Sequence, residues 1–214
     1  MSKAESPVPP QAADPSRRQW LRGSLAAGSA ALIPLVNSGC STTPAPVVGS
    51  PLGAATEAVL AAVADRLLPD DALGPAASAL GAVAYINRSL LEWNQRDLPL
   101  LQSGLQALDE AAHRRHGARF AALDAGQQDA LLMALEDNTV AELPDGSTLF
   151  NRVHRLVLEG LFSDPWYGGN RDFGGWDLIG YPGAVLASTD DMQRLGQRLA
   201  PLHTSAYGSE HDGH

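Results

Sequence analysis

The sequence predicts an all-α protein: a bundle of about five helices with a long ordered loop near its C-terminus. Three observations predict it. From Ala54 onward apolar residues recur at intervals of three and four, no stretch alternates apolar and polar residues long enough to read as a sheet, and the periodic runs are bounded by residues that start or stop helices.

The first helix carries Val59, Val63 and Leu67 on one face and ends at Pro69-Asp70-Asp71, where proline stops it. A second is expected over Ala77 to Trp93, burying Leu80, Val83, Ile86 (or Ala84) and Leu90. A third starts at an Asp97 cap and runs through Leu101, Leu105, Leu108 and Ala112. It stops at Gly117, with Arg114, Arg115 and His116 favourably placed at its negative end. Asp124 with Gln127 three residues on reads as a capping box opening a helix through Leu131, Leu132 and Leu135. Asp145-Gly146-Ser147 opens the next, with Leu149, Val153, Leu156 and Gly160 on its inner face. Ser188 and Asp191 are placed to cap a last short helix from Met192 to Ala200.

Between these last two lies WYGGNRDFGGWDLIGYPG, Trp166 to Gly183, with six glycines and five of the chain's twelve aromatic residues. Each glycine costs about 1 kcal/mol against alanine inside a helix, so the segment is expected to be neither helix nor strand. A flexible tether would expose the rings of Trp166, Tyr167, Phe173, Trp176 and Tyr181 without return. It is therefore an ordered loop that packs on something, either a partner or the bundle's own core.

The chain has 214 residues, enough for one domain with one sizeable core once a targeting segment is removed. A net charge of −9 leaves no basic patch to neutralise phosphates, which argues against nucleic acid. No uninterrupted apolar run reaches the ~18 to 20 residues of a spanning helix, so the mature protein is expected to be soluble. The single cysteine, Cys40, excludes a disulfide within the chain and a cysteine-built zinc or iron-sulfur site.

The N-terminus reads as an address. SRRQWLR, Ser16 to Arg22, precedes a weakly apolar stretch rich in Ala, Ser and Gly, the pattern of a twin-arginine export signal carried by Arg17, Arg18, Trp20 and Leu21. That route carries folded cargo, so assembly in the cytoplasm and a periplasmic destination are expected. Residues 1–39 hold four basic and two acidic side chains, and cleavage near Gly39 takes the charge from −9 to −11. Ser38-Gly39-Cys40 resembles a lipoprotein processing site, although Asn37 stands where a leucine is expected. Cys40 is either lipidated or a free thiol near a trimmed end. The expected organisation is a signal over 1–39, a Ser/Thr/Pro-rich tether over 40–53, a helical domain over 54–203 that includes the loop 164–183, and a disordered tail over 204–214.

Catalytic machinery is not found. GGNRDFGG lacks both the spacing and the preceding strand of a dinucleotide fingerprint. His113 and His116 stand beside Arg114 and Arg115, which oppose a cation, and read as solvated. His154 reads as a core or partner contact. Asp70/Asp71 and Asp190/Asp191 read as caps. No catalytic residue, cofactor site or metal site is assigned to this chain.

The twin-arginine start, the helical stretch LPDDALGPAASALGAVAYINRSL (Leu68 to Leu90) and the loop DPWYGGNRDFGGWDLIGYPG (Asp164 to Gly183) together resemble the gluconate 2-dehydrogenase subunit 3 family. Asp65-Arg66 and the Gly104-Leu105…Leu108-Asp109 step are also family-like. The resemblance implies a three-part complex. A large subunit of the glucose-methanol-choline (GMC) type holds FAD and oxidises the substrate, a multihaem cytochrome c subunit passes electrons on, and the small subunit escorts the signal-less large one through the twin-arginine translocase. Membrane association would come through the complex or through Cys40. Some relatives have body cysteines suited to an intersubunit bridge; here there is none beyond Cys40, so association is expected to be non-covalent.

On this reading the loop is a docking surface, built from Trp166, Tyr167, Gly168, Gly169, Asn170, Arg171, Asp172, Trp176, Tyr181 and Pro182, because interface hot spots favour Trp, Tyr and Arg. Two alternatives stay open: that the subunit lends Arg171, Asp172 or Asp177 to the partner's active site, or that the chain is a free-standing periplasmic lipoprotein that binds an unrelated protein.

Overall fold

The computed structural model describes residues 50–185, 187–196 and 198–208. The expected export signal with Arg17, Arg18, Trp20 and Leu21, the lipidation candidate Cys40, and residues 209–214 lie outside the described residues. Among the described residues six α-helices follow one another: α1 (Ala54–Leu67), α2 (Ala82–Glu92), α3 (Leu98–His116), α4 (Ala125–Glu136), α5 (Gly146–Phe162) and α6 (Gly174–Ile179). No strand occurs among the described residues, only an isolated bridge between Asp71 and Gly74, and the all-α expectation holds.

The core is built by leucine. Leu60, Leu90, Leu101, Leu105, Leu108, Leu131, Leu135, Leu149, Leu156 and Leu161 are fully buried with Ile86 and Phe120. Helix α5 touches each of the other five helices, and its buried Leu149, Val153, Leu156 and Gly160 are those the periodicity predicts. Close crossings rest on missing side chains. A Cβ on Gly160 would lie 3.1 Å from Ala82 Cα, and one on Gly104 would lie 2.7 Å from the methyls of Leu149. The family-like Asp65-Arg66 pair ties elements together: Asp65 accepts from Ser78 N and Ser78 Oγ, both at 2.8 Å, while Arg66 makes a two-pronged pair with Asp129 of α4, both bonds at 2.7 Å.

Several local expectations hold. The Asp124/Gln127 capping box is present in both directions, and Gly117 ends α3 with a left-handed φ of 75°. Others are corrected. Helix α2 begins at Ala82 rather than Ala77, because Asp65 holds the 76–81 turn and Gly81 takes a φ of 86° that breaks the helical path. Asp97 does not cap α3; its carboxylate is taken by Arg152 of α5, whose Nε donates at 2.8 Å with Nη2 on the same oxygen. The start of α5 is served by Asn138, whose Oδ1 accepts from Ser147 N at 2.7 Å. No helix forms at 192–196 or 198–200: Gly196 takes a φ of 81°, and Asp191 pairs with Arg194 instead of capping. Asp71 closes a small turn by accepting from Leu73 N.

Candidate docking site

The loop after α5 is not free of helix, as its glycine content suggested. Two 3-10 turns, Pro165–Tyr167 and Arg171–Phe173, lead into the six-residue α6. Asn170 makes this possible. Its residue is 0 % exposed and sits in the left-handed region at φ 46°. Its backbone N donates to Gly160 O at 2.8 Å, and its Nδ2 donates to Ser163 O at 3.0 Å. Its Oδ1 accepts from Gly175 N at 2.9 Å and Trp176 N at 3.3 Å. One side chain thus serves orphan groups at the end of α5 and the start of α6. Asparagine suits both tasks, since it tolerates φ > 0 and has a donor and an acceptor at its tip.

The flanking glycines let backbones touch. A Cβ on Gly169 would lie 2.1 Å from Gly160 O, and one on Gly175 would lie 1.8 Å from Leu161 O. Gly168, at φ 93°, is exposed. Arg171 is exposed too, but it is anchored: its N donates to Leu80 O at 2.9 Å and its Nη1 to Ala79 O at 3.0 Å.

The rings divide between two duties. Trp176, 4 % exposed, is core: its Nε1 donates to Phe162 O at 2.9 Å and its ring packs edge-on to Tyr181 at 4.8 Å. Buried Trp176, Gly169 and Asn170 therefore face their own bundle and offer nothing to an outside surface. Trp166 and Tyr167 are half-buried and join a chain of rings that sequence reasoning did not assemble. Tyr85 meets Trp93 at 5.9 Å, Trp93 meets Tyr167 at 5.6 Å, and Tyr167 meets Trp166 at 5.0 Å. Tyr207 stacks on Trp166 at 4.8 Å. The Arg88 guanidinium lies 5.0 Å from the Trp166 ring centroid, and its Nη1 donates to Trp166 O at 2.8 Å. Trp93 and Tyr207 remain 43 % and 53 % exposed, so the cluster is anchored inside and open outside. At its inner end burial, followed by the Glu159 carboxylate, pushes the Tyr85 hydroxyl up to about 12. At its outer end the hydrogen bond to Tyr167 raises Tyr207.

Beside it, Phe162, Asp164, Trp176, Ile179, Tyr181, Ala184 and Ala206 line an open cavity of about 330 Å³. Tyr181 is exposed at its rim and Pro182 is half-buried, with Pro182 O accepting from Leu202 N at 2.7 Å. Asp172 and Phe173 adopt φ of 53° and 60°. Phe173 stacks flat on His203 at 5.0 Å, and His203 Nε2 meets Asp177 Oδ1 at 2.8 Å. Of the three residues considered for a partner's active site, Arg171 and Asp177 are thus already engaged within the chain, and Asp172 is exposed. Among the described residues no group of three His, Cys, Asp or Glu could hold a metal ion, and no helix is long and apolar enough to cross a membrane.

Two participants were hidden by sequence distance. Trp93 was placed at the end of the second helix with no sign that it met Tyr167. The tail was expected to be disordered from residue 204, whereas Ser205, Ala206 and Tyr207 pack on the loop: Ser205 Oγ and Ala206 N donate to the Asp164 carboxylate at 2.6 and 2.8 Å.

This geometry defines a helical module closed at one end by a rigid loop and a partly exposed aromatic cluster. Residues 54–183 match the family model of gluconate 2-dehydrogenase subunit 3, and the chain belongs to that family. Membership makes it a subunit of a dehydrogenase complex. No curated protein and no solved structure matches it significantly.

Proposed function

We propose that this chain is the non-catalytic small subunit of an FAD-dependent dehydrogenase of the GMC type, which binds the folded flavin subunit, stabilises it and escorts it through twin-arginine export to the periplasm. The observation that carries the reading is the family match over 54–183. Two features support it. The sequence places Arg17 and Arg18 ahead of a weakly apolar stretch, and the aromatic end presents Trp93, Trp166 and Tyr167 on a scaffold fixed by Asn170 and Gly169. Rings held rigid before binding lose little entropy on association. In this reading the FAD belongs to the large subunit and haem c to a cytochrome subunit.

The test is purification of the tagged protein from its native host. A co-purifying large subunit with a flavin absorbance spectrum is the expected result; a colourless, solitary protein would favour a free-standing lipoprotein instead. Mass spectrometry of the same material reads the mature N-terminus. A lipid on Cys40 is the expected outcome if the lipoprotein site is used, and an unmodified end at another residue rejects it.

A further inference from the structure

The seat built by Asp164, Trp166 and Tyr167 is already occupied, and its occupant is foreign to the family region. The C-terminal segment Pro201–Gly208 crosses the loop, with His203 left-handed and a turn at Ala206 and Tyr207. Leu202 N donates to Pro182 O at 2.7 Å, and Ala184 N donates to Thr204 O at 2.8 Å. Both Asp164 oxygens are used: Oδ1 accepts from Ser205 Oγ and from Trp166 N, and Oδ2 accepts from Ala206 N. Tyr207 then lays its ring on Trp166 and shares a 2.9 Å hydrogen bond with the Tyr167 hydroxyl.

Three observations set this occupant apart from the bundle. The seat lies inside the matched residues 54–183, whereas the segment that fills it lies beyond them. At the seat itself the segment is held by one main-chain N–H, one hydroxyl and the Tyr207 ring, while His203 anchors it separately on Phe173 and Asp177. It is also separable. The hydrogen bonds of described residues 187–196 stay within that stretch, so lifting Pro201–Gly208 disturbs only its own contacts. Lifting it also frees His203 from a φ of 46°, a conformation costly for a residue other than glycine.

We infer that this seat is the partner-binding surface, and that Pro201–Gly208 holds it in the isolated chain until a partner segment of like chemistry displaces it. That segment gives a main-chain N–H and a hydroxyl to Asp164 and lays an aromatic ring on Trp166. The inference rests on the proposed function and specifies its docking site. Because the competent seat is only fractionally open, the apparent affinity is reduced by that fraction. Weakening the chain's own segment therefore tightens partner binding.

The experiment uses the full chain, immobilised, with the flavin-containing subunit released from the native complex as the probe. Tyr207→Ala should bind it about five- to tenfold more tightly than the wild type, and Ser205→Ala should move the same way by less. Trp166→Ala should bind more weakly. Circular dichroism checks that each variant keeps its helix content; if Tyr207→Ala does not, Ser205→Ala, which deletes a single hydroxyl, decides. Tail variants that bind like the wild type, or worse, overturn the inference while leaving the proposed function standing. A dimer that forms by exchanging the segment between copies and disappears in Tyr207→Ala would overturn it as well. A wild-type chain that captures no flavin subunit removes the proposed function and the inference together.

Discussion

Asn170→Ala should destabilise the protein by about 3 to 5 kcal/mol. The change removes two buried hydrogen bonds, to Gly175 N and Trp176 N, and a part-buried one to Ser163 O. It leaves the two amides without partners where water does not reach, at about 1 to 3 kcal/mol each before relaxation. It also places alanine at φ 46°, which adds about 1 kcal/mol. Urea unfolding followed by far-ultraviolet circular dichroism measures the loss. Asn170→Gly separates the two causes, because glycine tolerates the backbone angle but restores no hydrogen bond; it should recover only about 1 kcal/mol. Gly169→Ala attacks the same joint differently, since its new methyl would sit 2.1 Å from the Gly160 carbonyl oxygen. A wild-type unfolding midpoint in Asn170→Ala would show that the loop is not tied to the bundle in this way.

The run from Tyr167 to Asp172 looks like a binding signature, yet its innermost members are joinery. Gly169 permits contact with α5, Asn170 links α5 to α6, and Arg171 ties the loop to the turn before α2. Trp176 is likewise core, while Trp166 and Tyr167 stay half-buried beneath Tyr207. Sequence alone does not separate Trp166 from Trp176, because both lie among glycines and their burial is decided by residues far along the chain.

The same physics divides what was legible elsewhere. Elements governed by neighbours three or four residues away were read correctly: the apolar faces of α1, α3 and α5, the Asp124 capping box and the Gly117 stop. Elements decided at long range were not. Asp97 is drawn from its expected cap by Arg152, 55 residues on, and the start of α2 is set by Asp65 and by Gly81 against the loop backbone. Tyr207 and Trp166, 41 positions apart, stack although nothing local to either predicts it. The candidate site is mostly of this second kind.

Changing Arg17 and Arg18 together to lysine should strand the small subunit and its flavin partner in the cytoplasm. FAD is made in the cytoplasm and a flavoprotein folds around it, so a periplasmic flavoprotein has to cross the membrane already folded. A large subunit without a signal of its own crosses only while bound to one that has it. On the proposed reading the signal is the arginine pair ahead of the weakly apolar stretch, and lysine does not replace a planar guanidinium where forked hydrogen bonding is read. The substitution changes no residue of the described bundle, so the complex should still assemble. Dehydrogenase activity should persist in whole-cell lysates and nearly vanish from the periplasmic fraction, with both subunits found by immunoblot on the cytoplasmic side. The paired readout separates export from folding: loss of activity from the lysate as well would mean that assembly, not passage, had failed. Full activity of the partner in the periplasm of the double variant would end the escort reading.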